Sequence, residues 1–360
     1  MSNNSINMGA KSKKVLEVVS GWEAVELAVK CIFFGIWQLI QMFVKRLWKG
    51  HRRKSKNSSV ELTVDNSVGT HCYIKIMGVK YHYVKTGPKT GQLVLILGDA
   101  PDTGKLWGPT WTTVVRRLSE EGYHIITLDL RGTGGSEGGR RSDLAPPRAV
   151  EELSTLMEVL GVSENNPAVV IGFGIGGMLT WYLAHCHGRM IGKLAVVGAP
   201  HPNLYWQYPP AAFCNRVLHF IQWPNFPEQW LAEGAQERDG RWASSRACDW
   251  SGPLNYVRGA AWWRVRANHR IESPTLLVGA RDSAAQLVTS AQYCLSSTLR
   301  MVTTPDPTDL ELATIVQDFL IEKEKSSEFE PRTLMGRMLG AVAGRGRELT
   351  AKLVLPPVQG

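Results

Sequence analysis

Histidine stops early in this chain: none of the nine follows His269, although the sequence runs on to Gly360. The C-terminal quarter therefore holds no side chain whose ordinary pKa lets it take up and return a proton near neutrality. Cysteine is sparse and scattered. Cys31, Cys72, Cys186, Cys214, Cys248 and Cys294 show no C-x-x-C spacing, which argues against a zinc site or a disulfide framework and suits small buried thiols in a reducing compartment. Excess charge is missing from most of the molecule. Residues 1–60 hold eleven Lys and Arg against Glu17, Glu23 and Glu26, so they carry +8 of the formal +9 and leave the body nearly neutral. Such a body offers no phosphate-tracking surface, and nucleic acid is not expected as a partner.

What is present is an ordinary globular composition, 44% hydrophobic and 20% charged over 360 residues. That length allows one large α/β domain with appendages. The N-terminal part stands out. Val25 to Trp48 reads VELAVKCIFFGIWQLIQMFVKRLW, followed by Lys49, Arg52, Arg53, Lys54 and Lys56. Its apolar core from Cys31 to Ile40 is short for a bilayer that needs about 20 apolar residues, and spanning requires Glu26 and Lys30 to snorkel. Glu26, Lys30, Gln38, Gln41, Lys45 and Lys49 recur near helical spacing and form one polar stripe on a mainly apolar cylinder. The segment fits a single-pass anchor, a helix lying in the membrane interface, or a helix packed on the body. If it spans, the heavier basic flank on its C-terminal side puts the body in the cytosol, at the endoplasmic reticulum or another intracellular membrane.

From His71 onward, short β-branched runs alternate with helical stretches. Strands are expected at Tyr73–Met77, Lys80–Val84, Leu93–Leu97, His124–Asp129, Val169–Gly172, Leu194–Val197, Thr275–Val278 and Leu299–Thr303, with helices at Thr110–Glu121, Arg148–Leu160, Gly176–His185 and Leu310–Lys323. This pattern predicts a mostly parallel, eight-stranded sheet covered by helices on both faces. The interval from about 201 to 270, rich in Trp, Pro and Arg, breaks the alternation and reads as a helical lid inserted over the carboxyl ends of the strands. Within it, Trp223, Trp230, Trp242 and Trp250 are expected to fill the lid core. The boundaries expected are 1–60 for the N-terminal helix and basic linker, 61–325 for the α/β domain and 326–360 for a tail. In that tail Leu334, Met335, Met338, Leu339 and Val342 suggest an amphipathic helix.

Several strings resemble functional motifs without their context. Gly172-Phe173-Gly174-Ile175-Gly176-Gly177 matches G-x-G-x-x-G, yet it lies outside the first βα unit and no acidic residue ends the next strand; no cofactor is expected. Gly134-Gly135-Ser136-Glu137-Gly138 spells G-x-S-x-G but lacks the strand-turn-helix setting that exposes a nucleophile, and is read as a loop. His185, Cys186 and His187 end a predicted helix, where the histidines are expected to cap its carbonyls rather than bind metal.

Other stretches resemble the epoxide hydrolases of the α/β-hydrolase fold, particularly the membrane-anchored subgroup. Asp129-Leu130-Arg131-Gly132-Thr133-Gly134-Gly135-Ser136 is similar to that family's D-L-R-G-x-G-x-S, Pro200-His201-Pro202 to its P-H-P, and Gly252-Pro253-Leu254-Asn255 to its lid. The resemblance implies that an aspartate in G-H-D-W-G-G attacks the epoxide and that a histidine-activated water hydrolyses the ester. Against that pattern, Gly174 stands at the nucleophile position, Val217 and Val257 at those of two lid tyrosines, and Gly98-Asp99-Ala100-Pro101 at the H-G-x-P that shapes the oxyanion hole with the N–H of Ile175. Asp282 matches the acid, with no histidine after it to orient. The expectation is a membrane-tethered, catalytically degenerate relative that binds a lipophilic ligand or a protein partner; the alternative is a hydrolase using Asp99 or Asp102 instead.

Overall fold

The computed structural model describes residues 15–49, 69–99, 112–205, 215–237, 246–302 and 310–321. By its contacts the chain divides into one compact unit, Met1–Phe319, and a second, Leu320–Gly360. Most of the second unit, including the amphipathic pattern from Leu334 to Val342, lies outside the described residues.

All eight expected strands of the sheet form: β2 (Thr70–Ile76), β3 (Val79–Thr86), β4 (Leu93–Leu97), β5 (His124–Leu128), β6 (Ala168–Phe173), β7 (Ile191–Val197), β9 (Thr275–Ala280) and β10 (Ser297–Val302). They lie in the order β10-β9-β7-β6-β4-β5-β3-β2. The two pairings made by β3 are antiparallel and the others parallel. The central strands read as continuous apolar runs, LVLIL in β4 and AVVIGF in β6, because parallel strands covered on both sides have no solvent face to supply alternation. Every residue of β6 is buried.

Helices α2 (Thr112–Glu120), α3 (Pro146–Val159), α4 (Gly174–His187) and α9 (Ala284–Ala291) connect these strands, and α10 (Leu310–Ile321) follows the last of them. Two prolines start α3, where a missing N–H costs nothing. Its Glu152 is 1% exposed and is held by Arg131, Arg148 and the hydroxyl of Tyr81. A buried carboxylate survives only with such partners. Here they tie the Asp129–Ser136 loop to the core.

Between β7 and β9 the chain leaves the sheet. It forms α5 (Pro202–Tyr205), α6 (Asn215–Ile221), α7 (Phe226–Glu237), α8 (Ser251–Ala260) and the short strand β8 (Trp263–Val265). This insertion is pinned by Arg258, which pairs with Glu228 at 2.7 Å and donates to the carbonyls of Ile221 and Trp223. Trp250 is buried and Trp230 packs against the core, as expected; Trp223 is half-buried and turns instead to the N-terminal helix, and Trp242 lies outside the described residues.

The N-terminal part joins this insertion. Strand β1 (Leu16–Val18) pairs antiparallel with β8, Leu16 opposite Val265. The helix α1 (Gly21–Lys49) then runs along α6. Leu27, Cys31 and Met42 are buried at helical spacing, Phe34 lies against His219, and the Trp223 indole N–H donates to the Cys31 carbonyl at 2.8 Å. Gly35 makes that possible, since a Cβ there would fall 1.7 Å from the Trp223 ring.

Candidate active site

The register of the sheet sets the site. Strand β6 is flanked by β4 and β7, and Leu97 of β4 pairs with Gly172 of β6 in parallel. Two residues further along each strand stand Asp99 and Gly174. Gly174 begins α4 with φ +46, a left-handed backbone that glycine adopts without strain and other residues do not. The sharp strand-to-helix corner has thus been kept at the position expected for a nucleophile.

Asp99 fills that corner. A Cβ built on Gly174 would lie 2.2 Å from the Asp99 carboxyl carbon and 2.3–2.4 Å from its two oxygens. The Ile175 N–H, the backbone donor expected for the oxyanion hole, donates to Asp99 Oδ1 at 3.0 Å. A carboxylate therefore occupies the space that a side chain on residue 174 would need, and it arrives from the loop after β4. The start of a 14-residue helix favours a negative charge there. Gly98 is half-buried beside it, whereas Ala100 and Asp102 lie outside the described residues.

The remaining expected positions stand on other elements. Val217 on α6 and Val257 on α8 are both buried in the core cluster that also contains Ile175 and Met178; neither offers a hydrogen bond to a ligand. Asp282 follows β9 in a single turn of 3₁₀ helix, Arg281–Ser283, and its side chain lies outside the described residues. The chain after β10, where a base histidine would be sought, contains none.

The imidazoles have other tasks. His82 Nδ1 meets Asp129 Oδ2 at 2.8 Å and its Nε2 meets His71, with β4 standing between β5 and the elbow strand. Ser136 donates to the Asp129 carbonyl and accepts from the His82 N–H, so the G-x-S-x-G string is a loop brace. His185 departs from its expected capping role. It is buried, and its two ring nitrogens meet His269 at 3.0 Å and His201 at 2.9 Å.

The proton order in this trio follows from one backbone group. The Asn203 N–H donates to His201 Nδ1, so His201 carries its proton on Nε2 and donates to His185, which donates through Nδ1 to His269. Burial, reinforced by His269, lowers the His185 pKa to about 3, and burial with His185 nearby holds His201 well below the usual range. Both are neutral near pH 7. Burial also pushes the neighbouring Cys186 thiol up to about 12, so it is protonated and a poor nucleophile.

A cavity of about 590 Å³ opens at this far end of α4, lined by His187, His269, Arg270 and Glu272 among others. Fourteen helical residues, about 20 Å, separate it from the elbow. Among the described residues no His, Cys, Asp and Glu cluster suits a metal ion.

Sequence reasoning marked Gly174 and set the Asp99 carboxylate beside the expected oxyanion hole, but it did not place that carboxylate over Gly174 and it missed the imidazole trio. Each depends on residues far apart in the chain.

Residues 93–311 match the alpha/beta hydrolase family. Among curated proteins, epoxide hydrolase 4 of mouse is 28% identical over 273 residues, spanning 67% of this chain and 74% of that protein. The human epoxide hydrolase 4 gives the same identity over 73% of its length, and epoxide hydrolase 3 of Xenopus tropicalis is 33% identical over 169 residues, 44% of this chain and 43% of its own. Among solved structures, a Vigna radiata epoxide hydrolase mutant superposes with TM-score 0.56 at 18% identity, covering 70% of this chain and 98% of its own. Epoxide hydrolase A from Mycobacterium thermoresistibile gives 0.53 at 15%, with 70% and 98% covered. At such identities the structural likeness speaks for the fold.

Proposed function

Because this chain belongs to the alpha/beta hydrolase family and is similar to epoxide hydrolases within it, we propose that it is an epoxide-hydrolase-like binding protein that does not turn over epoxides. In this reading the helical insertion is a lid that holds a lipophilic ligand or a protein partner over the corner. The N-terminal helix tethers the molecule to an intracellular membrane such as the endoplasmic reticulum, with the body in the cytosol.

The observation that carries the proposal is the Asp99 carboxylate in the space above Gly174, taking the Ile175 N–H. An oxyanion hole accelerates a reaction by saving its donors for charge that develops only in the transition state. Here the donor is already bound to an anion in the resting protein. A second negative charge about 4 Å away is opposed by up to about 4 kcal/mol, less where water screens it. The valines at 217 and 257 add no donor for an epoxide oxygen. Purified protein given styrene oxide or a fatty-acid epoxide is expected to form diol no faster than a heat-killed sample, as followed by chromatography. Sustained turnover would sink the proposal.

The same observation favours one other reading, in which Asp99 replaces the elbow residue as nucleophile. Asp99→Asn and Asp102→Asn separate the two. Turnover lost only in Asp99→Asn supports a relocated nucleophile; wild-type protein without turnover leaves the binding reading in place.

A further inference from the structure

We infer that α1 lies flat in one leaflet of an anionic bilayer, holding the helical insertion against the lipid surface, and does not cross the membrane; this rests on the tethering proposed above. By length and hydropathy alone the helix qualifies as a span. Its surroundings in the fold exclude that use. The body touches it from end to end: near its start Arg264 pairs with Glu23 at 3.1 Å, near its middle Trp223 bonds the Cys31 carbonyl, and near its end Arg46 pairs with Glu233 at 3.2 Å. A helix of 29 residues is about 43 Å long. To stand it upright across a bilayer would draw the insertion docked at its middle, with Trp223 and the buried Arg258–Glu228 pair, into hydrocarbon, where charges are expensive.

The side turned away from the body is as apolar as the side turned toward it. Val29, Phe33, Ile36, Ile40, Phe43 and Leu47 follow helical spacing on the outward face and are each 48–69% exposed. A soluble surface helix would carry charges there. Glu26, which falls on this same face near its start, is neutralised by an ion pair with Lys30. Trp22 and Trp48, at opposite ends of the helix, are 79% and 89% exposed, the side chain preferred at a membrane–water interface. Lys45, Arg46 and Lys49 end the helix, and the sequence continues into Arg52, Arg53, Lys54 and Lys56, which complements anionic headgroups. A second copy of the helix would cover only a narrow seam of this face, whereas a leaflet covers all of it.

The test uses the full chain with phosphatidylcholine vesicles, with and without phosphatidylserine, together with an Ile36→Asp/Ile40→Asp variant. Both changes point outward, so thermal unfolding of the variant checks that the fold is kept. Flotation is expected for the natural chain, several-fold stronger with phosphatidylserine, and at least tenfold weaker for the variant. A glycosylation acceptor placed ahead of Leu16 should stay unmodified when the chain is made in the presence of microsomes. Modification of that acceptor would mean that the helix crosses, overturning the flat arrangement while keeping the tether. Failure to float overturns both, and a dimer dissolved by the same variant would identify a second copy as the occupant.

Discussion

At Gly174 the backbone and a distant side chain impose the same requirement. The positive φ disfavours any other residue by roughly 1–2 kcal/mol, and a Cβ would meet the Asp99 carboxylate at 2.2 Å. Gly174→Ala should therefore destabilise the natural protein more than it destabilises an Asp99→Ala background, with a coupling of about 0.5–3 kcal/mol in a double-mutant cycle read by urea unfolding. Additive effects would mean that Asp99 does not hold that space. That residue 174 is a glycine was readable from the string Gly172–Gly177, where the resemblance places the nucleophile. Asp99 was already set beside the oxyanion hole by that resemblance, but its place in the space over Gly174 was not legible, because only the pairing of Leu97 with Gly172 brings Asp99 beside Gly174. His185 shows the same limit: apparent helix-capping chemistry in the last turn became part of a buried trio once His201 and His269 were folded against it.

For whole elements, periodicity carried further. The eight strands of the sheet and the helices around them followed from runs of apolar residues, which report burial directly. The polar stripe on α1, from Glu26 to Lys45, was also legible, but what the stripe separates was not. Its members fall on different sides: Gln38 is half-buried in register with Cys31 and Met42 on the packed face, Glu26 is in register with Val29 and Phe33 on the outward face, and both faces are otherwise apolar in sequence. The strand β1 was too short to give a signal of its own. Within the insertion, Arg258 joins α6, α7 and α8 through Ile221, Trp223, Glu228 and Asn255. Arg258→Ala leaves the Glu228 carboxylate buried without its partner and is expected to cost about 3–5 kcal/mol, seen as a lower melting temperature. Arg258→Met with Glu228→Leu should recover much of that loss; a single variant as stable as the natural chain would refute the pinning role.

For the molecule as a whole, the neutral imidazoles set a dependence on acidity. His185 and His201 have folded pKa values below the unfolded value of about 6.5. Below that pH the unfolded chain binds more protons than the folded one, so stability rises with pH and is lost as pH falls from about 6.5 toward about 3. The slope is about 1.4 kcal/mol per pH unit for each histidine that remains neutral. The urea midpoint should fall between about pH 7.5 and about pH 5, and His185→Gln should flatten that fall. An unchanged midpoint in the natural chain would show that the trio takes up protons freely when folded.

The antiparallel pairing of Leu16 with Val265 also orders events during synthesis. The first strand leaves the ribosome about 250 residues before its partner, a separation that makes the contact slow to form. At usual elongation rates this is a wait on the order of ten seconds or more. Throughout that interval the following helix has neither of its apolar faces covered. Whatever receives the nascent chain first, a chaperone or a lipid leaflet, does so before the insertion it will pack on is complete.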